Sequence, residues 1–498
     1  LGGQDLLSYE IFEQARRDGI KGFTFPTHFM PITQFFSTPN FFAQLGSGSS
    51  AHKFNTVKDY DNFLGRIDGF VVWMDQAIEN MGQGMERGVV RPRIIMEKVL
   101  PQLSAHIQAD VTKTVFYRVV AEMPETIEGE NRDRLTAAYE DAIANKIVPA
   151  YRRLHDFIKD QYLEAASEDI ALTALPGGEK WYAFLVQQRT TTDLTPEKIH
   201  NIGLGEVERI RGEMESIKQG VGFDGDLPAF FDSLRTDERF YHDEAEELLE
   251  SYRALKSTVN AAASDLFSLM PKADFEVRAV EAFRERSASG ASYMMPAPDG
   301  SRPGIFYVNT YDLKARPKYM AEVLYLHEAV PGHHYQIALA QELDLPMFRR
   351  FGGYTAYAEG WGLYAESLGP ELGLYTDPYQ HFGALDAEMV RSIRLVVDTG
   401  MHAKGWSREK ALEFMMANSS ISETRAVSEV ERYIAVPGQA LAYKIGQLKI
   451  SELRARAVKA LGDRFDLREF HAEVLQDGSL PLSVLEAKID RWIASPSG

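Results

Sequence analysis

His327-Glu328-Ala329-Val330-Pro331-Gly332-His333-His334 gathers three of the chain's twelve histidines and one acid into eight residues. Imidazole nitrogens beside a carboxylate are what a zinc hydrolase uses, as metal ligands and as a base for water. The spacing, however, is not the usual H-E-x-x-H. In that pattern the histidines lie four apart on one helix face, about 6 Å in rise. Here Pro331 occupies that position and cannot ligate. On an unbroken helix His333 would stand roughly 120° off the face of His327, and His334 would return to the face about 10.5 Å along the axis. A continuous helix therefore fails for both. Pro331 removes the amide that would bond the carbonyl of His327, and Gly332 tolerates the backbone that a break demands. A loop-out at Pro331-Gly332 could bring His333 beside His327, with His334 as a core or supporting histidine.

A third ligand is expected from Tyr357-Ala358-Glu359-Gly360-Trp361-Gly362-Leu363-Tyr364-Ala365-Glu366. This run reads as helix, and Glu359 and Glu366, seven apart, share a face. Carboxylates among large apolar side chains are costly unless they meet a charge. Glu359 would complete a His2Glu set, and Glu366 could orient a ligand histidine or lie at the surface. Further on, Arg391, Arg394, Asp398 and His402 recur at helical spacing. Either Asp398 and His402 support the metal site while an arginine holds a substrate carboxylate, or the four form an ion-paired helix face. Arg425, Glu429, Arg432, Tyr433, Gln439, Tyr443 and Lys444 follow. Tyr433 and Tyr443 are candidates for a donor to a developing oxyanion, with core packing as the alternative, and Arg432 and Gln439 are candidate substrate contacts.

These residues need a scaffold, and the sequence describes a helical one. Helical apolar spacing recurs over 57–83, 93–118, 132–165, 196–218, 243–269, 379–404 and 439–461. Thr195-Pro196-Glu197 is a helix start, a capping hydroxyl followed by proline in the first turn. The exception is 290–310, where Pro298-Asp299-Gly300 separates two β-prone stretches and predicts a hairpin. An edge strand at Ile305–Asn309 would accept an extended peptide, with Tyr307 and Asn309 touching it. The expected fold is mainly α, a large multi-helix body with a small hairpin or sheet lining a cleft. It forms a single domain over 1–498, with metal-site helices at 316–369 and cleft-completing helices at 379–460.

Composition narrows the function. The 54 basic and 72 acidic residues leave a charge of −18, which opposes nucleic acid and anionic membrane as partners. No run approaches the ~20 apolar residues of a membrane span. The absence of cysteine excludes disulfides, thiolate ligands and a cysteine nucleophile. With Leu1 first, the chain reads as processed or truncated, which leaves the bacterial cytoplasm and an exported or periplasmic location both open.

The stretches 327–336, 302–309, 357–366, 394–402 and 437–446, together with 175–179 and 190–197, resemble the bacterial family called domain of unknown function 885. The resemblance spans nearly the whole chain. It implies a thermolysin-like zinc peptidase, often exported or lipid-anchored, and favours His333 over His334 as a ligand. The expectation is then Zn2+ on His327, His333 and Glu359, with Glu328 taking the proton of the attacking water during peptide hydrolysis. A non-peptide amidase or esterase on the same site, or a non-catalytic peptide-binding protein with a structural metal, are the alternatives. Oligomeric state is not legible.

Overall fold

In the computed structural model, residues 2–50, 52–281, 285 and 289–495 are described, and they form helices with one small sheet. The chain divides into two compact units, one comprising Ile20–Trp181 with Ile434–Val436, the other Leu1–Gly19, Tyr182–Tyr433 and Pro437–Gly498.

The first unit is built on the helix Val57–Glu86. Thr56 accepts from Asp59 N while the Asp59 carboxylate reaches back to the cap amide, so two orphan amides are satisfied reciprocally. Its buried positions, Tyr60, Phe63, Ile67, Phe70, Met74, Ala77 and Met81, repeat every three or four residues, as a core-facing stripe requires. The periodic segment 93–118 is shorter than expected. Its helix ends at Ser104, and Asp110 then caps a separate short turn through Thr112 N. Apolar periodicity does not register such a stop, because the residues beyond it still pack inward.

The second unit carries the candidate site. Thr195 caps Pro196–Gly220 as expected, accepting from Lys198 N. The hairpin forms from β2 (Ala291–Met294) and β3 (Gly304–Val308), but β1 (Phe275–Ala279) pairs in parallel with the other side of β3. β3 is thus the central strand, bonded on both edges and buried throughout. It cannot receive a peptide by strand addition. Tyr307 packs with Val280 and Ile305, and Asn309 is buried with its amide on Glu285 O. Neither is a substrate contact of that kind, and the sheet's outer edges belong to β1 and β2. A parallel partner leaves no local turn signal, so β1 was illegible beside β3.

The helix Thr355–Glu366, which bears both glutamates, is held from behind by buried His471. His471 Nδ1 donates to Leu266 O at 2.8 Å, and Nε2 accepts from Tyr364 OH at 2.9 Å. Burial lowers its pKa to about 4, so the folded protein keeps it neutral. Between pH 6.5 and 4 the unfolded chain takes up a proton that the native state refuses, and stability therefore falls as pH falls. By pH 5 this one group costs about 2 kcal/mol. Thermal melts of wild type and His471→Gln at pH 7 and 5 test it. The variant should lose less stability on acidification, and an equal loss would reject the assignment.

Candidate metal centre

His327 and Glu328 are the last two residues of the helix Ala321–Glu328, and His333 is the first of the next, His333–Glu342. The intervening loop contains a cis Val330–Pro331 peptide bond. A side chain at Gly332 would put its Cβ 2.0 Å from His327 O, so only glycine fits that turn. Trp361 Nε1 donates to Pro331 O at 2.7 Å, which ties the loop to the Thr355–Glu366 helix. The helix break thus folds the six-residue separation back on itself, and the two imidazole centroids lie 4.6 Å apart.

The Nε2 atoms of His327 and His333 each stand 3.4 Å from Glu359 Oε2. Candidate ligand atoms of these three residues all lie within 4.8 Å of one another. Ligand atoms on a tetrahedral zinc, bonded at about 2.0–2.1 Å, are separated by roughly 3.3 Å. The donor set therefore fits such an ion in both chemistry and spacing. Glu366 Oε1 meets His327 Nδ1 at 2.7 Å, which turns Nε2 toward Glu359. Gly362 makes room for that ring, because a Cβ there would sit 2.7 Å from His327 Cε1. Burial pulls the pKa of His327 down, but Glu359 and Glu366 outweigh it and raise it to about 10. Burial pushes Glu359 upward, yet the two histidines hold it well below the usual carboxylate range. The cluster is thus a place where positive charge is strongly favoured.

Glu328 is buried, within electrostatic range of His327, and its carboxylate makes no hydrogen bond to the protein among the described residues. A largely buried carboxylate with no hydrogen bond to the protein is available to a ligand or water. His334 faces elsewhere. Its Nδ1 meets Tyr293 OH at 2.8 Å and its ring packs 4.7 Å from Phe275, so its contacts are with the sheet.

Of the tyrosines, Tyr433 is buried and its hydroxyl donates to Glu429 Oε2 at 2.5 Å, which removes it as an oxyanion donor. Tyr443 is only half-buried. It is brought alongside Glu359 by a close crossing of Thr355–Glu366 with the helix Ala442–Leu461. There Gly360 and Gly446 touch through backbone, and a Cβ on Gly446 would lie 1.9 Å from Ala356 O. Burial and the Glu359 charge raise the pKa of Tyr443.

Asp398 and His402 are not a supporting pair for the histidines. Asp398 accepts from Tyr182 OH at 2.6 Å and from Gly438 N at 3.0 Å, and His402 Nε2 meets Tyr433 O at 3.0 Å. They brace the turn before Gln439, where Gly438 adopts a φ of 78°. Their helical spacing was legible, but the element they would face was not. Arg391 Nη2 does reach Glu366 Oε1, at 3.6 Å. Arg394 and Arg432 instead converge on Glu429, at 3.1 and 2.9 Å, and Arg432 Nη1 donates to Gln439 Oε1 at 2.9 Å. Glu429, named in the sequence without a role, is their hub. Its offsets from Arg425, Arg432 and Tyr433 place all four on one helix face, which was the available signal.

Fold and site define a mainly helical protein with a His2Glu cluster at a helix break beside a three-stranded sheet. The chain belongs to the family described as "Bacterial protein of unknown function (DUF885)", matched over residues 1–489. A crystal structure from Colwellia psychrerythraea is similar at 34% identity and a TM-score of 0.88, covering 93% of this chain and 80% of that one. A Shewanella oneidensis structure, of unknown function, shares the fold at 18% identity and a TM-score of 0.77, covering 98% and 88%. Both are described as a "putative lipoprotein". No curated protein matches the chain. Among the described residues no helix is long and apolar enough to cross a membrane.

Proposed function

We propose that this protein is a zinc-dependent hydrolase that cleaves peptide bonds. The observation carrying the reading is the pair of 3.4 Å separations from one Glu359 oxygen to two histidine Nε2 atoms, next to a buried and unpartnered Glu328. Zinc held by His327, His333 and Glu359 would supply Lewis acidity, acidifying water and polarising the carbonyl. The remaining work falls to side chains. Glu366 accepts the Nδ1 proton of His327 and so fixes its tautomer and ring orientation. Glu328 takes the proton of the attacking water and returns it to the leaving amine. Tyr443, kept protonated by its raised pKa, donates to the developing oxyanion. Ligand histidines must be neutral, so zinc uptake displaces the proton that His327 otherwise shares with its two glutamates, and affinity falls as pH falls. The lipoprotein descriptions of the two similar structures support an exported protein.

Metal analysis of the purified protein, followed by a peptide-library digest with and without chelator, tests the proposal. Bound zinc and chelator-sensitive cleavage restored by zinc are expected. A protein that cleaves small amides or esters but no peptide would be the amidase or esterase instead. Failure on every amide and ester would leave a peptide-binding protein. Glu366→Gln should weaken zinc binding about 10–100-fold in a chelator competition, and unchanged affinity would remove its orienting role.

A further inference from the structure

Beside the histidines the protein concentrates positive charge that its own carboxylates do not neutralise. Arg391 and Arg394 come from the helix Pro378–Ala403, and Arg425 and Arg432 from Glu423–Ala435. Glu429 is ion-paired to Arg394 and Arg432, Glu366 already holds His327, and Asp386 accepts from Ser420 N and Oγ. Four guanidiniums therefore face three carboxylates, Glu366, Glu429 and Asp386, the last in electrostatic range of Arg425, in a chain whose overall charge is −18.

Their donors are also incompletely used. Arg391 Nε and Arg394 Nη1 are buried without a hydrogen-bond partner, and Arg394 is only 6% exposed. The Arg425 guanidinium makes no hydrogen bond or ion pair among the described residues. It is solvent-exposed, yet desolvation lowers its pKa, and Arg391 and Arg394 add to that effect against Glu429 and Asp386. The Arg425 side chain is thus reachable from solvent while in electrostatic range of Arg391 and Arg394. Unfilled buried donors of this kind are costly unless an acceptor arrives.

The arginine cluster adjoins the candidate metal site by two routes. Arg394 Cζ lies 4.5 Å over the ring of Tyr443, which is in electrostatic range of Glu359. Arg391 reaches Glu366, the partner of His327. A planar anion with two acceptor oxygens matches the guanidinium fork. A peptide carries one such group at its end, a short reach from its last amide bonds.

We propose that these arginines bind the C-terminal carboxylate of the substrate, so that the protein removes residues from the C-terminal end of peptides. This rests on the hydrolase reading. Binding, however, can be read without turnover. Zinc-loaded Glu328→Gln is titrated calorimetrically with N-acetylated peptides that end in a free carboxylate or in a carboxamide. The free acid should bind roughly 10–100-fold more tightly, the scale of charge-assisted hydrogen bonds. Arg425→Gln, whose wild-type side chain holds no partner that would be orphaned, should erase most of that ratio with an unchanged circular dichroism spectrum. Arg394→Lys, which keeps the charge but loses the fork, should reduce it. Equal affinity for acid and amide would overturn the proposal and leave the hydrolase reading standing if wild type still cleaves both. A carboxamide peptide with an internal glutamate that binds as tightly as the free acid would overturn it too, by assigning the arginines to a side chain.

Discussion

Glu328→Gln should lower peptide hydrolysis by roughly 10²–10⁴-fold, the usual contribution of a positioned acid–base group. The substitution keeps the shape of the side chain and removes its basicity. Glu328 makes no hydrogen bond to the protein among the described residues, so the substitution breaks no native hydrogen bond and removes only its charge effect on His327. Zinc content and thermal stability should therefore match wild type, and the loss should fall on kcat. Single-turnover assays with a chromogenic peptide measure it. A variant that cleaves at the wild-type rate would show that the water is deprotonated elsewhere, and Glu328 would lose its role.

The second large effect separates the two adjacent histidines. His333→Ala and Glu359→Ala should each lose zinc far beyond the ~10–100-fold of a supporting residue, because each removes one of three ligands. His334→Ala should keep its zinc. Its cost should appear in stability, about 1 kcal/mol or more, because a buried imidazole is removed and Tyr293 OH loses its partner in a partly buried setting. Metal stoichiometry by mass spectrometry and melts of the same preparations separate these outcomes. Zinc loss in His334→Ala equal to that in His333→Ala would overturn the ligand set. Full metallation of Glu359→Ala would move the third ligand to another residue.

The local geometry of the candidate site was largely legible in the sequence. Pro331 and Gly332 announce a helix break because one lacks an amide and the other lacks a side chain, and both properties are intrinsic to the residues. Glu359 and Glu366 share a face because helical periodicity is local, and the same holds for the capped start at Thr195 and for the β2–β3 turn. What the sequence left open depended on partners distant in the chain. That β3 is central was decided by β1, which joins it in parallel from before the hairpin. Asp398 and His402 have the spacing of a supporting pair, but helix packing turns them toward Tyr182, Gly438 and Tyr433. Tyr433 and Tyr443 are indistinguishable as residue types. The Gly360–Gly446 crossing sets Tyr443 beside Glu359, and Glu429 captures Tyr433. Periodicity assigns a side chain to a face of its own helix. Only the packing of one helix on another decides what that face meets, and this is why the helix break and the shared face of the two glutamates could be read in advance while the surroundings of the arginines could not.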